Sequence, residues 1–155
     1  MTRHLFAGLL LIGAVAAAPG IAFAQGGEPV RLITPEEARL PAPGGSGGAQ
    51  RNMTRGPGVD RVSPAAIGVD GPFRFAVKFK PRNGVPVDPA SVRVTYQRQP
   101  NVDLTARVKG FITADGIDAP AVLVPPGKHV VEIEATDKEG RLGRGVVTLT
   151  VDPPK

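Results

Sequence analysis

The last quarter of the chain reads as one β-hairpin, and that hairpin constrains the fold of everything before it. Val131, Ile133 and Ala135 alternate with Glu132, Glu134 and Thr136. After Asp137-Lys138-Glu139-Gly140, Val147, Leu149 and Val151 alternate with Thr148, Thr150 and Asp152. Side chains on a strand point to opposite faces with period two, so each run has one apolar and one polar face. Such strands belong to an antiparallel sheet with one face on a core and one in water. Pro125-Pro126-Gly127 can continue neither a strand nor a helix and marks a loop. Asp137 and Gly140 supply the turn, because Asp bonds to the backbone ahead of it and Gly accepts positive φ. Gly143 and Gly145 weaken the start of the second strand and predict a bulge there.

The same alternation recurs upstream. Phe73, Phe75, Val77 and Phe79 alternate with Arg74, Ala76, Lys78 and Lys80, and Val92, Val94 and Tyr96 with Arg93, Thr95 and Gln97. Residues 59–63, 111–113 and 121–124 read as shorter strands, with Asp115-Gly116 turning before the last. Residues 103–109 predict one helical turn capped by Asp103. The total is about seven strands at the spacing of a β-sandwich. Alternation places Phe75, Val77, Tyr96, Ile133, Ala135, Leu149 and Val151 in the core. It places Lys78, Arg93, Glu132, Glu134 and Thr148 outside. The expected fold is all-β, a single antiparallel sandwich over residues 59–152.

The run from Pro126 to Gly140, closed by Val147 to Val151, resembles the last two strands of bacterial immunoglobulin-like domains. Ser63-Pro64-Ala65 and Val87-Asp88-Pro89-Ala90-Ser91-Val92 resemble the end of the first strand and the approach to strand C in that group. The resemblance covers residues 59–152. It implies an immunoglobulin-like sandwich in an extracytoplasmic setting, and it implies no activity. The Cys pair and the Trp of antibody domains are absent.

Residues 1–24 read as a secretory signal peptide. Arg3 and His4 open it, residues 5–18 form an apolar run of 14, and Ala22-Phe23-Ala24 is a small-x-small cleavage site. A membrane-spanning helix needs about 20 apolar residues, and Pro19-Gly20 breaks this run early. Cleavage is expected to leave a soluble chain starting at Gln25, periplasmic or extracellular. Residues 25–58 read as a disordered arm: 13 of the 33 residues from 26 to 58 are Gly or Pro. Residues 41–48 are its most linker-like part. Within it, Thr34-Pro35-Glu36-Glu37 carries a capping signature and predicts a single helical turn at 34–40. One such turn alone is too short to persist in water. It reads either as a transient turn that buries nothing or as a docking segment that folds on a partner through Val30, Leu32, Ile33 and Leu40.

Composition removes most chemistry. The chain has no Cys and no Trp. The only His beyond the signal peptide is His129, and Ser46, Ser63 and Ser91 are the only Ser. Nothing supports a nucleophilic site, and His129 reads as structural at a strand start. Periplasmic copper carriers of the CopC type share the sandwich and a Ser-Pro-Ala near its start, as at Ser63 to Ala65. The resemblance implies copper ligands from an N-terminal His and further His or Met residues. This chain offers Gln25, His129 and Met53 instead. Asp115 with Asp118, and Asp137 with Glu139, read as turn formers rather than calcium ligands. Sugar platforms are missing, since Tyr96 is the only Tyr. The formal net charge is +5, and residues 55–155 hold 15 Lys and Arg against 11 Asp and Glu. A surplus this mild is no nucleic-acid stripe. Arg74, Lys78, Lys80 and Arg82 cluster on one strand and its exit. They read as a solvated face that discourages edge pairing, or as a patch for an anionic partner; Arg93 and Arg98 fall on a strand expected in the other sheet.

These features point to an exported, monomeric, non-enzymatic binding or structural module with no cofactor. Its expected partner is an envelope protein or an anionic envelope polymer. Ile33 and Leu40 mark the second contact candidate. The alternative is a periplasmic metal or small-ligand carrier of the copper-chaperone type. N-terminal sequencing of the exported protein should begin at Gln25 or its cyclised form; a full-length chain retained in membranes would overturn this.

Overall fold

In the computed structural model, residues 27–44, 55–64, 68 and 70–154 are described. The expected signal peptide and the inner part of the Gly-rich linker lie outside them. Among the described residues nine strands form two sheets: β1 (Val30–Arg31), β2 (Gly58–Ser63), β3 (Phe73–Lys80), β4 (Arg93–Tyr96), β5 (Val102–Asp103), β6 (Ile112–Thr113), β7 (Gly116–Leu123), β8 (Gly127–Thr136) and β9 (Leu142–Val151). One sheet runs β1-β7-β3-β2, with β6 also on β7, and the other runs β5-β4-β8-β9. All pairs are antiparallel except β1 with β7. Two short helices, α1 (Pro35–Ala38) and α2 (Thr105–Val108), lie between strands. The chain is an all-β, two-sheet sandwich.

The hairpin forms as the alternation requires. β8 and β9 pair without interruption from Gly127↔Val151 to Thr136↔Leu142. The bulge expected at Gly143 and Gly145 is therefore absent from this ladder. Those glycines answer a different need. A Cβ on Gly143 would lie 1.9 Å from the Pro57 carbonyl oxygen, and one on Gly145 would lie 2.6 Å from the Val59 Cβ. The segment leading into β2 crosses β9 here at backbone distance, and Arg61 Nη1 donates to the Thr148 carbonyl at 3.2 Å. That contact joins an edge of one sheet to an edge of the other.

The core is one apolar layer between the sheets. Phe75, Val77 and Phe79 of β3 and Ile117, Ala119 and Val122 of β7 face Val94, Tyr96, Val131, Ile133, Ala135, Val147, Leu149 and Val151. The seven residues expected inside are all buried, and Lys78 and Arg93 are exposed. Glu132, Glu134 and Thr148 are half-buried instead of exposed; Arg144 Nε lies 3.5 Å and 2.5 Å from the two glutamate carboxylates. β7 is longer than expected. It starts directly at Gly116, and Pro120 sits where the pairing with β3 shifts register, between Phe73↔Val122 and Phe75↔Ala119. A proline lacks the N–H of a regular ladder and is tolerated at such an irregularity.

The segment around α1 corrects the expectation of an arm that buries nothing. β1 pairs with the edge of β7, Val30↔Val122 and Arg31↔Leu123. Leu32 and Ile33 follow and are buried in the same core, so Ile33 is occupied by the chain itself, while Leu40 is half-buried. Each buried side chain of that size contributes about 1.5–3 kcal/mol, which offsets part of the cost of ordering the segment. The Thr34 capping box closes as the sequence predicts, with Glu37 N donating to Thr34 Oγ1 and Thr34 N donating to Glu37 Oε2. The same Glu37 carboxylate meets Arg107, whose Nη1 and Nη2 donate to its Oε2 and Oε1 at 2.8 and 2.6 Å. Arg107 Nη1 also donates to the Leu32 carbonyl at 2.8 Å.

Two outcomes follow from this packing. Phe75→Ala should cost about 3–5 kcal/mol by chemical denaturation, and Glu134→Ala less than about 1 kcal/mol; equal effects would refute the register. The Arg107 hydrogen bond is the main cause holding Glu37 from 4.5 down to about 2. A carboxyl lowered on folding adds stability that is present above its unfolded value and is lost as pH falls toward 2. Glu37→Gln should therefore flatten the acid limb of stability between pH 4.5 and 2. Deleting residues 27–40 should lower the melting temperature by more than about 5 °C.

Candidate functional site

Three polar features could carry function: the buried histidine, the cations of β3, and a groove beside β4. His129 is 2% exposed at the start of β8. Its Nε2 lies 2.8 Å from the Pro125 carbonyl and its Nδ1 2.8 Å from the Tyr96 hydroxyl. A carbonyl only accepts, so Nε2 carries the proton and Nδ1 accepts from Tyr96. Tyr96 in turn accepts from Arg98 Nε at 2.7 Å, while Arg98 Cζ stands 5.0 Å from the Tyr96 ring centroid. Both ring nitrogens are thus committed inside the fold. Burial is the main force pushing the imidazolium below the ordinary histidine range; the Pro125 bond opposes it and the Arg98 cation adds to it. Among the described residues, no group of three or more His, Cys, Asp or Glu comes together.

The four cations expected to form one patch do not act alike. Arg74 makes a two-point bond to Asp118, Nε to Oδ1 at 2.8 Å and Nη2 to Oδ2 at 2.7 Å. Lys80 is paired with Asp60. β3 lies between β2 and β7, and each neighbour brings one carboxylate to its outer face. Lys78 and Arg82 are exposed and make no ion pair with any described residue. Arg82 lies on a loop tied to the β8–β9 turn, where Arg141 Nη2 reaches its carbonyl at 3.5 Å. That turn is fixed by Asp137, a buried carboxylate that accepts from Glu139 N, Arg141 N and Arg141 Nε. Burial alone would raise the Asp137 pKa; these bonds outweigh it and hold the group below its usual range.

The groove was not anticipated. The turn of 3-10 helix at Pro89–Ser91, β4, and the stretch from β5 through α2 to β6 border a half-open groove of about 520 Å³. Pro89, Ala90, Val92, Ala106 and Ile112 give it an apolar lining, and Arg93, Lys109, Asp103 and Thr105 its polar one. Asp88 shapes one wall by accepting from Ala90 N at 3.0 Å. Asp103 shapes the other by accepting from Thr105 N at 2.8 Å. Thr105 Oγ1 accepts from Val94 N at 2.9 Å, closing the outer edge of β4. Hydrogen bonding from Thr105 is the main cause holding Asp103 below the ordinary carboxylate range, with Arg93 adding a smaller attraction. Neither Arg93 nor Lys109 has a carboxylate within salt-bridge distance among the described residues. Arg93 faces Glu134 in the ladder, but Arg144 already holds that carboxylate. The two turn signals, Asp88-Pro89 and Asp103 two before Thr105, were visible in the sequence. Their convergence on either side of β4 was not.

Fold and surface together define a two-sheet β-sandwich that carries a mixed apolar and cationic groove. The chain matches no family model and no curated protein. It is similar to the crystal structure of CopC from Methylosinus trichosporium OB3b at 19% sequence identity and a TM-score of 0.42, over 63% of this chain and 96% of that one.

His129 gives a test in the neutral range. The unfolded imidazole protonates near its ordinary value of about 6.5, whereas the folded one stays neutral there. Stability is therefore full above pH 6.5 and is lost as pH falls below it. Denaturation measured from pH 7.5 to 5.5 should show this loss. In His129→Gln, at whatever lower overall stability, the slope over that window should shrink.

Proposed function

We propose that the protein is an exported, non-enzymatic module of the immunoglobulin-like kind that works by binding an anionic polymer of the cell envelope, in the periplasm or outside the cell. The observation that carries this reading is Lys78 with Arg82: two exposed cations on and beside the central strand β3, left over after Asp60 and Asp118 have taken Lys80 and Arg74. Each leftover cation adds to the attraction for a polyanion, and the attraction is screened over about 10 Å at 0.1 M salt. The signal-peptide pattern read in residues 1–24 and the poverty of nucleophiles support the same class. The commitment of both His129 nitrogens weighs against the metal-carrier alternative.

The test is binding of the mature chain to lipopolysaccharide vesicles at low and high salt. Binding should weaken at least tenfold between about 20 and 300 mM salt, and Lys78→Gln with Arg82→Gln should weaken it further at low salt. Capture that ignores salt would point to a protein partner instead. Stoichiometric copper uptake by the mature chain would move the reading to the carrier class.

A further inference from the structure

We infer that the groove between the Pro89–Ser91 turn, β4 and α2 is a binding site for a small amphiphilic monoanion, a molecule with an apolar body and one carboxylate-type charge. The volume, about 520 Å³, lies in the range that holds small organic ligands. The apolar lining from Pro89, Ala90, Val92, Ala106 and Ile112 offers a surface for the body. The charge is set by what the chain leaves unspent. Asp103 is already engaged by Thr105, and the Thr105 hydroxyl is engaged by Val94 N. Arg93 and Lys109 remain, cations with no carboxylate partner among the described residues, in the same lining. Two cations against one carboxylate leave a single positive charge to be matched, which selects a monoanion over a dianion and repels a cation. A ligand carboxylate would take charge-assisted hydrogen bonds from Arg93 and Lys109, stronger than those between neutral groups.

This site is distinct from the cations used in the envelope reading. Arg93 lies on β4 in one sheet and Lys78 on β3 in the other. The two ideas can therefore fail separately. Nor does the groove require catalysis: Thr105, its one hydroxyl, is tied to the β4 backbone, and Asp103 is held in its ionised form.

Calorimetric titration of the mature chain with octanoate, octylamine and octanol tests the proposal. Octanoate should bind saturably at one per chain, and octylamine and octanol at least tenfold more weakly. Arg93→Gln and Lys109→Gln should each weaken octanoate binding about fivefold or more. Ala106→Trp should abolish it by filling the groove. All three positions are exposed or rim the groove, so circular dichroism should show an unchanged fold. Lys78→Gln with Arg82→Gln should leave octanoate binding unchanged while lowering vesicle binding. No saturation by about 10 mM octanoate, equal binding of octylamine, or indifference to the Arg93 and Lys109 substitutions would each overturn the proposal.

Discussion

Arg107 is where the two sheets and the N-terminal segment meet, and much of the closed architecture depends on it. A sandwich without disulfides must seal its open sides by contact alone. On one side the chain entering β2 lies against the Gly143 and Gly145 backbone of β9. On the other, Arg107 rises from α2, which follows β5 in one sheet, and grips Glu37 and the Leu32 carbonyl, which belong to the segment paired with the other sheet. The side chains of the pair are 29% and 17% exposed. Partial shielding makes such a two-point bond worth more than a surface ion pair, and the loss of one partner more costly.

The charged surface follows the same economy. Carboxylates on β2 and β7 neutralise two of the β3 cations, Arg144 bridges two glutamates on β8, and Arg141 is spent on the β8–β9 turn. Part of the positive charge is thus neutralised within the fold, and the rest stays exposed. A net charge read from composition cannot show this, because it counts Arg107 and Lys109 alike. One is a structural clamp, and the other lies beside a groove with no ion pair among the described residues.

The hairpin and β3 were legible because one face of each strand is buried and the other wet, which writes the period of two directly into the residues. β7 was read short because Asp118 and Pro120 interrupt its pattern, although both merely point outward while Ile117 and Ala119 point in. β1 was illegible for a deeper reason. It is two residues long, and its partner lies far along the chain. Leu32 and Ile33 are both buried in succession as the chain leaves the strand for α1, so no period marks them. The capping box of α1 could be read locally, but what its Glu37 would grip could not. Gly143 and Gly145 show another limit: a glycine in a strand signals either a bulge or a close approach, and only the position of Pro57 and Val59 decides. The groove was hidden likewise, since its two walls come from separate turns flanking β4.

The parallel pairing of β1 has a consequence for the order in which the molecule is assembled. Val30 and Val122 are roughly ninety residues apart, and pairings of such high sequence separation slow folding. The segment holding β1 therefore cannot pair until β7 has formed. Until it does, β7 presents a bare edge beside the vacant sites of Leu32 and Ile33, the kind of surface that pairs with other chains. The N-terminal segment thus covers an edge of its own sheet that would otherwise stand open to pairing.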